Sequence, residues 1–383
     1  MHYLYNKTDR MLQNKIYQNF SLEIVKTFFI ILFGLSIIAW TVRAVNFLDL
    51  IIESGYSIFT YFQYSFLNFF GIATKFIPLS FLLALIIFVL RQIQENEFVI
   101  LWTSGVKKIY LVNLFFILSI FILIIYLLLS TFFTPYSLYK SRLLLSKDQF
   151  NSFLPTIKMQ QFSDTFKGFT FIVEKKINNE VENVFLHDKS NNLKNLSSNI
   201  SEISSTTIVA KNGLIDKKKF YLFKGQIISS KKNNEENEII KFEQLNIDLS
   251  DLSTTTIKKP KIQETSTIEL FKCVFTKEKD NRYCNINSKK EMIPALNKRL
   301  TIPFYIPVIA LICSLLLINS KKKYFHQISI FAYSFVLLLL TEIFVKYTGL
   351  NEMVKIIFFM TPFVLGILIY IFLILKFSKE SIV

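Results

Sequence analysis

Six stretches of the chain are predominantly apolar over roughly 20 residues each, the length a helix needs to cross the hydrocarbon layer. They run over 24–46, 66–90, 109–134, 300–318, 326–346 and 354–375. Between the third and fourth the pattern changes to short alternations: Phe169-Thr-Phe-Ile-Val-Glu174, Glu182-Asn-Val-Phe-Leu-His187, Thr206-Thr-Ile-Val-Ala210, Phe220-Tyr-Leu-Phe223 and Ile239-Ile-Lys-Phe242. A period of two predicts strands, and Gly168, Gly213, Gly225 and polar clusters are read as the breaks between them. The expected fold is a bundle of six membrane helices with an all-β domain inserted between helices 3 and 4. Its parts are residues 1–136, 137–299 and 300–383. Pattern alone leaves the insert open between a sandwich or roll with an apolar slot and a loose anchor without a ligand.

Orientation follows from Lys and Arg in the short loops, which resist translocation. Lys7, Arg10, Lys15 and Lys26 precede or open the first span, Arg91, Lys107 and Lys108 follow the second, Lys321 to Lys323 follow the fourth, and Lys376 and Lys379 close the chain. The loops Asp49 to Tyr56 and Tyr347 to Asn351 are poor in basic residues. Both termini are therefore expected in the cytoplasm and residues 137–299 in the periplasm. No small-residue cleavage site follows Trp40 and five more spans follow, so the first span is expected to be retained rather than removed as a signal peptide.

Composition agrees with insertion: the 383 residues are 52% hydrophobic, with 41 Phe and a mean hydropathy of +0.40. The net charge of +16 raises a nucleic-acid partner, but residues 137–299 hold 28 Lys/Arg against 19 Asp/Glu, spread thinly and without a basic helix, so none is expected. Cys273, Cys284 and Cys313 match no zinc spacing. The first two lie in the insert, where an oxidising compartment predicts a disulfide between them, with two free thiols as the alternative. No phosphate-cradling G-x-x-x-x-G-K-[ST] occurs at any of the nine glycines, and His2, His187 and His326 fall in three regions. Neither an ATPase nor a catalytic triad is expected of this chain, nor a metal or cofactor.

The loop Arg91 to Tyr110 reads RQIQENEFVILWTSGVKKIY, a short amphipathic helix over 94–106 that ends on a glycine. The insert carries FTFIVE, VFLHD, TIVAKNGLI and LFKGQII in that order, and the fourth span opens with Leu296-Asn-Lys-Arg299-Leu300 and Pro303. Together these resemble the LptF/LptG lipopolysaccharide export permeases. In that family a Glu, aliphatic residues and a closing Gly form the coupling helix, and the fourth span carries E-L-H-x-R-L-x-x-P. Glu97, Phe98 to Leu101 and Gly105 fit the first pattern, and Arg299, Leu300 and Pro303 the second. Trp102 and Lys107, and Ala295 and Asn297, depart from them. Trp40 to Ser57 (WTVRAVNFLDLIIESGYS) looks more like the LptF subunit.

The resemblance implies a β-jellyroll for the insert and a transport role in the bacterial inner membrane. It implies as partners an LptB-type ATPase dimer, a paralogous LptG-type (or LptF-type) permease, LptC-type and LptA-type bridge proteins, and lipopolysaccharide. Glu97, Phe98, Leu101 and Gly105 would couple to the ATPase. Arg43, Lys75 and Lys346 are ionisable groups near the outer ends of their spans, a costly position that by default faces a cavity or a partner. They are candidates for lipid phosphate, against a reading in which they snorkel, with Lys346 one turn from Glu342. The alternatives are a permease for another lipid and a membrane-anchored periplasmic scaffold.

Overall fold

The computed structural model describes residues 2–52, 56–148, 159–166, 168–177, 179–189, 203–216, 219–231, 238–248, 261–275, 286–318 and 322–380. Six helical stretches are long and apolar enough to cross a membrane: Lys15–Ile51, Ile58–Gln94, Lys108–Leu145, Lys289–Leu317, Lys323–Tyr347 and Glu352–Ser378. Each contains most of an apolar run and extends it into polar residues, which hydropathy leaves out. The fourth shows this most clearly. Helix Ile286–Leu300 carries Lys289, Lys290, Lys298 and Arg299 ahead of the apolar part, and a short 3₁₀ turn at Ile302–Phe304 joins it to helix Tyr305–Ser314.

The chain divides into two compact units, Met1–Val42 with Leu67–Tyr139 and Lys261–Val383, and Arg43–Phe66 with Lys140–Pro260. The described residues 261–275 and 286–299, expected with the insert, thus group with the membrane helices. The core of the first unit is a phenylalanine lattice. Phe20 and Phe28 of the first span, Phe81 and Phe88 of the second, Phe98 of the following loop and Phe115 of the third are all buried. Phe88 meets Phe20, Phe98 and Phe115 edge-on at centroid distances of 5.3, 6.4 and 6.1 Å, the geometry ring quadrupoles favour. The spans differ in how much of their most apolar stretch this packing covers. The second and fourth are 61% and 72% buried, but the first, fifth and sixth only 22%, 22% and 17%. Those three spans leave apolar faces for lipid or for another protein.

In the second unit, β1 (Ser163–Phe166), β2 (Phe169–Ile177), β3 (Glu180–Asp188), β4 (Ile203–Asp216), β5 (Lys219–Lys231) and β6 (Glu238–Asp248) form one sheet. Its order is sequential and its neighbours are antiparallel. That is a meander. Two sheets joined by Greek-key crossings, which a jellyroll in the strict sense requires, are not found among the described residues. Phe169, Phe171, Val184, Leu186, Ile208, Phe220, Leu222 and Ile227 make its core.

The strands are longer than alternation predicted, and Gly213 and Gly225 lie inside β4 and β5 rather than between strands. The register places Glu174, Asn183, Lys211, Lys224 and Glu243 on one line across β2 to β6, where Asn183 and Lys224 have φ of 49° and 53°. At this line the buried positions step by three, from Val181 to Val184 and from Ala210 to Gly213. The strands pair in the same register on both sides of the line, and the inward face is kept while the period-two count resets. Gly225 sits beside the line because a Cβ there would lie 2.4 Å from the Val209 carbonyl oxygen and 2.5 Å from the Phe242 ring.

Candidate functional site

The loop between the second and third spans folds as helix Glu97–Thr103, shorter than the expected 94–106. Gly105 ends it with φ of 92°. The Gly105 N–H donates to the Trp102 carbonyl at 3.0 Å and the Val106 N–H to that of Leu101 at 3.3 Å. This pair of bonds is the Schellman arrangement, in which glycine takes the left-handed position at low cost. Val106 and Leu101 are both buried in the core, the apolar contact that accompanies such a cap.

Phe98 (1% exposed) and Leu101 (7%) face that core. Of the four coupling residues read from sequence, these two are thus buried within the chain. The apolar residues it presents outward are Val99 and Ile100, 52% and 66% exposed, beside exposed Glu97. Trp102 stacks on Phe98 with centroids 5.7 Å apart, and the Lys108 ammonium lies 4.6 Å from its ring centroid. Arg91 steadies the preceding turn by ion pairs to Glu23 and Glu95 at 2.8 and 2.9 Å. A cavity of about 100 Å³ beside the helix is lined by Gln92, Asn96, Trp102, Lys323, His326 and Gln327 among others. Gln92 Oε1 and Trp102 Nε1 are buried without a protein partner, so it can hold ordered water.

Of the three charges assigned to phosphate, Arg43 lies in the last turn of helix His2–Asn46 and in the second unit, whereas Lys75 and Lys346 belong to the first. All three are exposed. Glu342 pairs with Lys298, and no carboxylate lies within ion-pair reach of Lys346 among the described residues.

Cys273 is disulfide-bonded and Cys313 is free and buried; Cys284 lies outside the described residues. With only three cysteines in the chain, the proposed partner of Cys273 is Cys284. Unreduced protein is expected to take up no alkylating label at either position, and reduced protein to take up one at each, read by mass spectrometry. Label on both before reduction would refute the pairing.

Sequence reasoning missed a polar node in the first unit. Span 3 contains a π-helical turn, Leu129–Phe133, followed by polar residues at Thr134 and Ser137. Ser130 Oγ donates to the Arg299 carbonyl at 3.0 Å, Thr134 and Thr74 hydroxyls meet at 2.9 Å, and Ser137 Oγ donates to the Leu67 carbonyl at 2.6 Å. The Arg299 guanidinium donates to the carbonyls of Thr265, Ile262 and Gln263 at 2.9, 3.2 and 3.0 Å and to Thr267 Oγ1 at 3.0 Å. Thr267 Oγ1 in turn donates to the Thr131 carbonyl at 2.6 Å. The only sequence trace of this node was Arg299 itself, in the fourth-span pattern.

In the second unit a shallow groove of about 640 Å³ lies along the line through Asn183, Lys211 and Lys224, lined by Phe185, Val209, Lys211, Lys224, Gln226 and Lys241 among others. Among the described residues, no group of three His, Cys, Asp or Glu side chains is placed to hold a metal ion.

No curated protein matches the chain. The family description that does match, over residues 22–376, is "Lipopolysaccharide export system permease LptF/LptG". Six apolar spans interrupted after the third by a β-sheet unit are thus matched over nearly their whole length, and the chain belongs to the LptF/LptG family of lipopolysaccharide export permeases.

Proposed function

We propose that this chain is one of two paralogous permease subunits, the F-type one, of an ABC transporter that lifts lipopolysaccharide out of the inner membrane toward the outer membrane. The observation that carries the permease reading is the family match across residues 22–376, which covers both subunit types; the F-type assignment rests on the stretch Trp40 to Ser57 alone. The physical demand fits it. Bringing acyl chains into water costs about 0.8 kcal/mol per CH₂, so extraction needs both an energy source and continuous apolar cover. The faces left open on the first, fifth and sixth spans supply one wall of that cover, and the paralogue the other.

Energy enters from an LptB-type ATPase dimer docked on helix Glu97–Thr103. Glu97, Val99 and Ile100 are the residues presented to it, while Phe98, Leu101 and Gly105 hold the helix in place. Closure of the ATPase must change the cavity's affinity for lipid, since a coupling between two sites is reciprocal. The β unit lies in the periplasm and hands the lipid to LptC-type and LptA-type proteins through a jellyroll-type slot, of which the described meander is part. Arg43, Lys75 and Lys346 meet the phosphates of the lipid head, where charge-assisted hydrogen bonds are about twice as strong as neutral ones.

The test is lipopolysaccharide retained by the purified complex at low and moderate salt. Changing Arg43, Lys75 and Lys346 together to Ala is expected to lower retention severalfold, with Arg43→Ala the most damaging single change because a guanidinium grips phosphate bidentately. A triple variant with wild-type retention would mean that the three charges are only anchors. A wild-type complex that copurifies a different lipid would overturn the lipopolysaccharide assignment itself.

A further inference from the structure

We infer that the polar node around Arg299 is the joint through which the membrane spans move the segment that follows the β unit, with Arg299 as its positioning residue. This rests on the export reading above. Chain order makes the position significant: the β strands lie between residues 163 and 248, the π-helical turn at Leu129–Phe133 precedes them, and the segment held by Arg299, Ile262 to Thr267, follows them. One residue of span 4 therefore fastens the chain on its return, and the same node fastens span 3 before the chain departs.

The chemistry is unusual for a mere staple. Arg299 is 8% exposed, and among the described residues no carboxylate lies within ion-pair reach of it. Burying an ion without a counter-charge is expensive, and well-packed neutral groups often hold a fold as well or better. What the guanidinium offers is a rigid planar fork. Here the fork engages the carbonyls of Ile262, Gln263 and Thr265 together, so it sets the backbone shape of the segment rather than the place of one side chain.

The relay continues without a gap. Arg299 donates to the Thr267 hydroxyl and that hydroxyl donates to the Thr131 carbonyl, an acceptor in the π-helical turn. Such turns concentrate at functional sites. Ser130 closes the circuit by donating to the Arg299 carbonyl, and Thr134 and Ser137 tie the next turns of span 3 to span 2. A displacement of span 4 against span 3 must then either carry the segment along or break these bonds. A hydrogen-bonded network with two discrete arrangements is one means by which coupling is carried between distant sites.

The experiment uses the complete complex with its ATPase and paralogous permease, in lipid nanodiscs, as wild type and as Arg299→Lys, Arg299→Gln, Thr267→Val and the Gln/Val double variant. Three activities are read separately: ATP hydrolysis, lipopolysaccharide retained, and ATP-dependent delivery to a soluble periplasmic acceptor. Arg299→Gln is expected to keep the first two near wild type and to lose delivery by about tenfold or more, within the range of allosteric couplings. Arg299→Lys and Thr267→Val fall between, and the double variant loses less than the product of the singles because both act on one relay. Hydrogen exchange of residues 261–275 gives a readout independent of the cargo: trapping the ATPase with vanadate should alter it in the wild type and not in Arg299→Gln.

Unchanged delivery in Arg299→Gln, or identical trapping effects in both proteins, would overturn the inference. So would a parallel fall of all three activities with thermal stability, which marks a structural role only. A wild type that delivers no lipopolysaccharide yet shows the exchange difference would overturn the export reading and leave the joint standing.

Discussion

Phe98→Ala is expected to destabilise the protein by about 3–5 kcal/mol, the usual cost of removing a buried aromatic ring, whereas Ile100→Asp is expected to leave it folded and abolish capture of the ATPase. The two residues are two positions apart on a seven-residue helix, and the difference comes from the side each faces. Phe98 packs edge-on to Phe20 and Phe88 at 6.4 Å each and stacks on Trp102, so its loss opens a cavity where the first and second spans meet the loop. Ile100 is 66% exposed and its substitution disturbs no packing, but a carboxylate in the middle of a docked apolar face must be desolvated without a partner. Glu97→Lys should resemble Ile100→Asp, because reversing a charge paired across an interface costs several kcal/mol. The measurements are melting temperature in detergent and the amount of ATPase that copurifies. If Ile100→Asp retains the full amount, the helix docks by another face or docks nothing.

That helix also shows where sequence reading stops. Its existence and its glycine cap were legible, because a left-handed cap leaves a residue type behind. Its orientation was not, since Phe98-Val-Ile-Leu101 is apolar on every side and no period distinguishes anchor from contact. The six spans were legible for the same reason that their ends were not: hydropathy registers the hydrocarbon-length core and ignores the polar turns, such as Lys289 to Arg299, that continue the helix beyond it. In the sheet the alternation was real, but it resets at the line through Asn183, Lys211 and Lys224. β4 and β5 were therefore read as short strands stopping at Ala210 and Phe223, ahead of Gly213 and Gly225, glycines present because neighbouring atoms leave no room for a Cβ. The Arg299 node left almost no trace, as most of its acceptors are main-chain carbonyls and any residue type supplies a carbonyl. Lys346 was weighed against Glu342 one turn away, but Glu342 is taken by Lys298 across the helix pair, a choice only tertiary packing could make.

Gly349→Ala is expected to be the most damaging single-methyl change in the membrane unit. The residue sits in the short turn between the fifth and sixth spans, where a glycine is usually explained by backbone freedom. Here the reason is space. A Cβ at 349 would lie 2.0 Å from the Lys290 carbonyl oxygen and 2.9 and 3.0 Å from the Pro294 ring. The first of these is main chain within helix Ile286–Leu300 and cannot rotate away, and the second is the proline of the same helix. Relief requires the turn and the helix to separate by more than an ångström. Overpacking of a tight contact costs about 1–3 kcal/mol and sometimes more, and this contact involves a backbone on each side. The helix displaced is also the one that ends in Lys298, paired with Glu342, and Arg299, which holds the segment 262–267. The expected result is therefore a lower melting temperature together with faster hydrogen exchange in residues 261–275, remote in sequence from the substitution. Gly349→Ser should behave as Ala does, since its hydroxyl adds to the same crowding. Exchange in 261–275 that stays at the wild-type rate while the melting temperature falls would show that the turn's packing and the Arg299 node are independent.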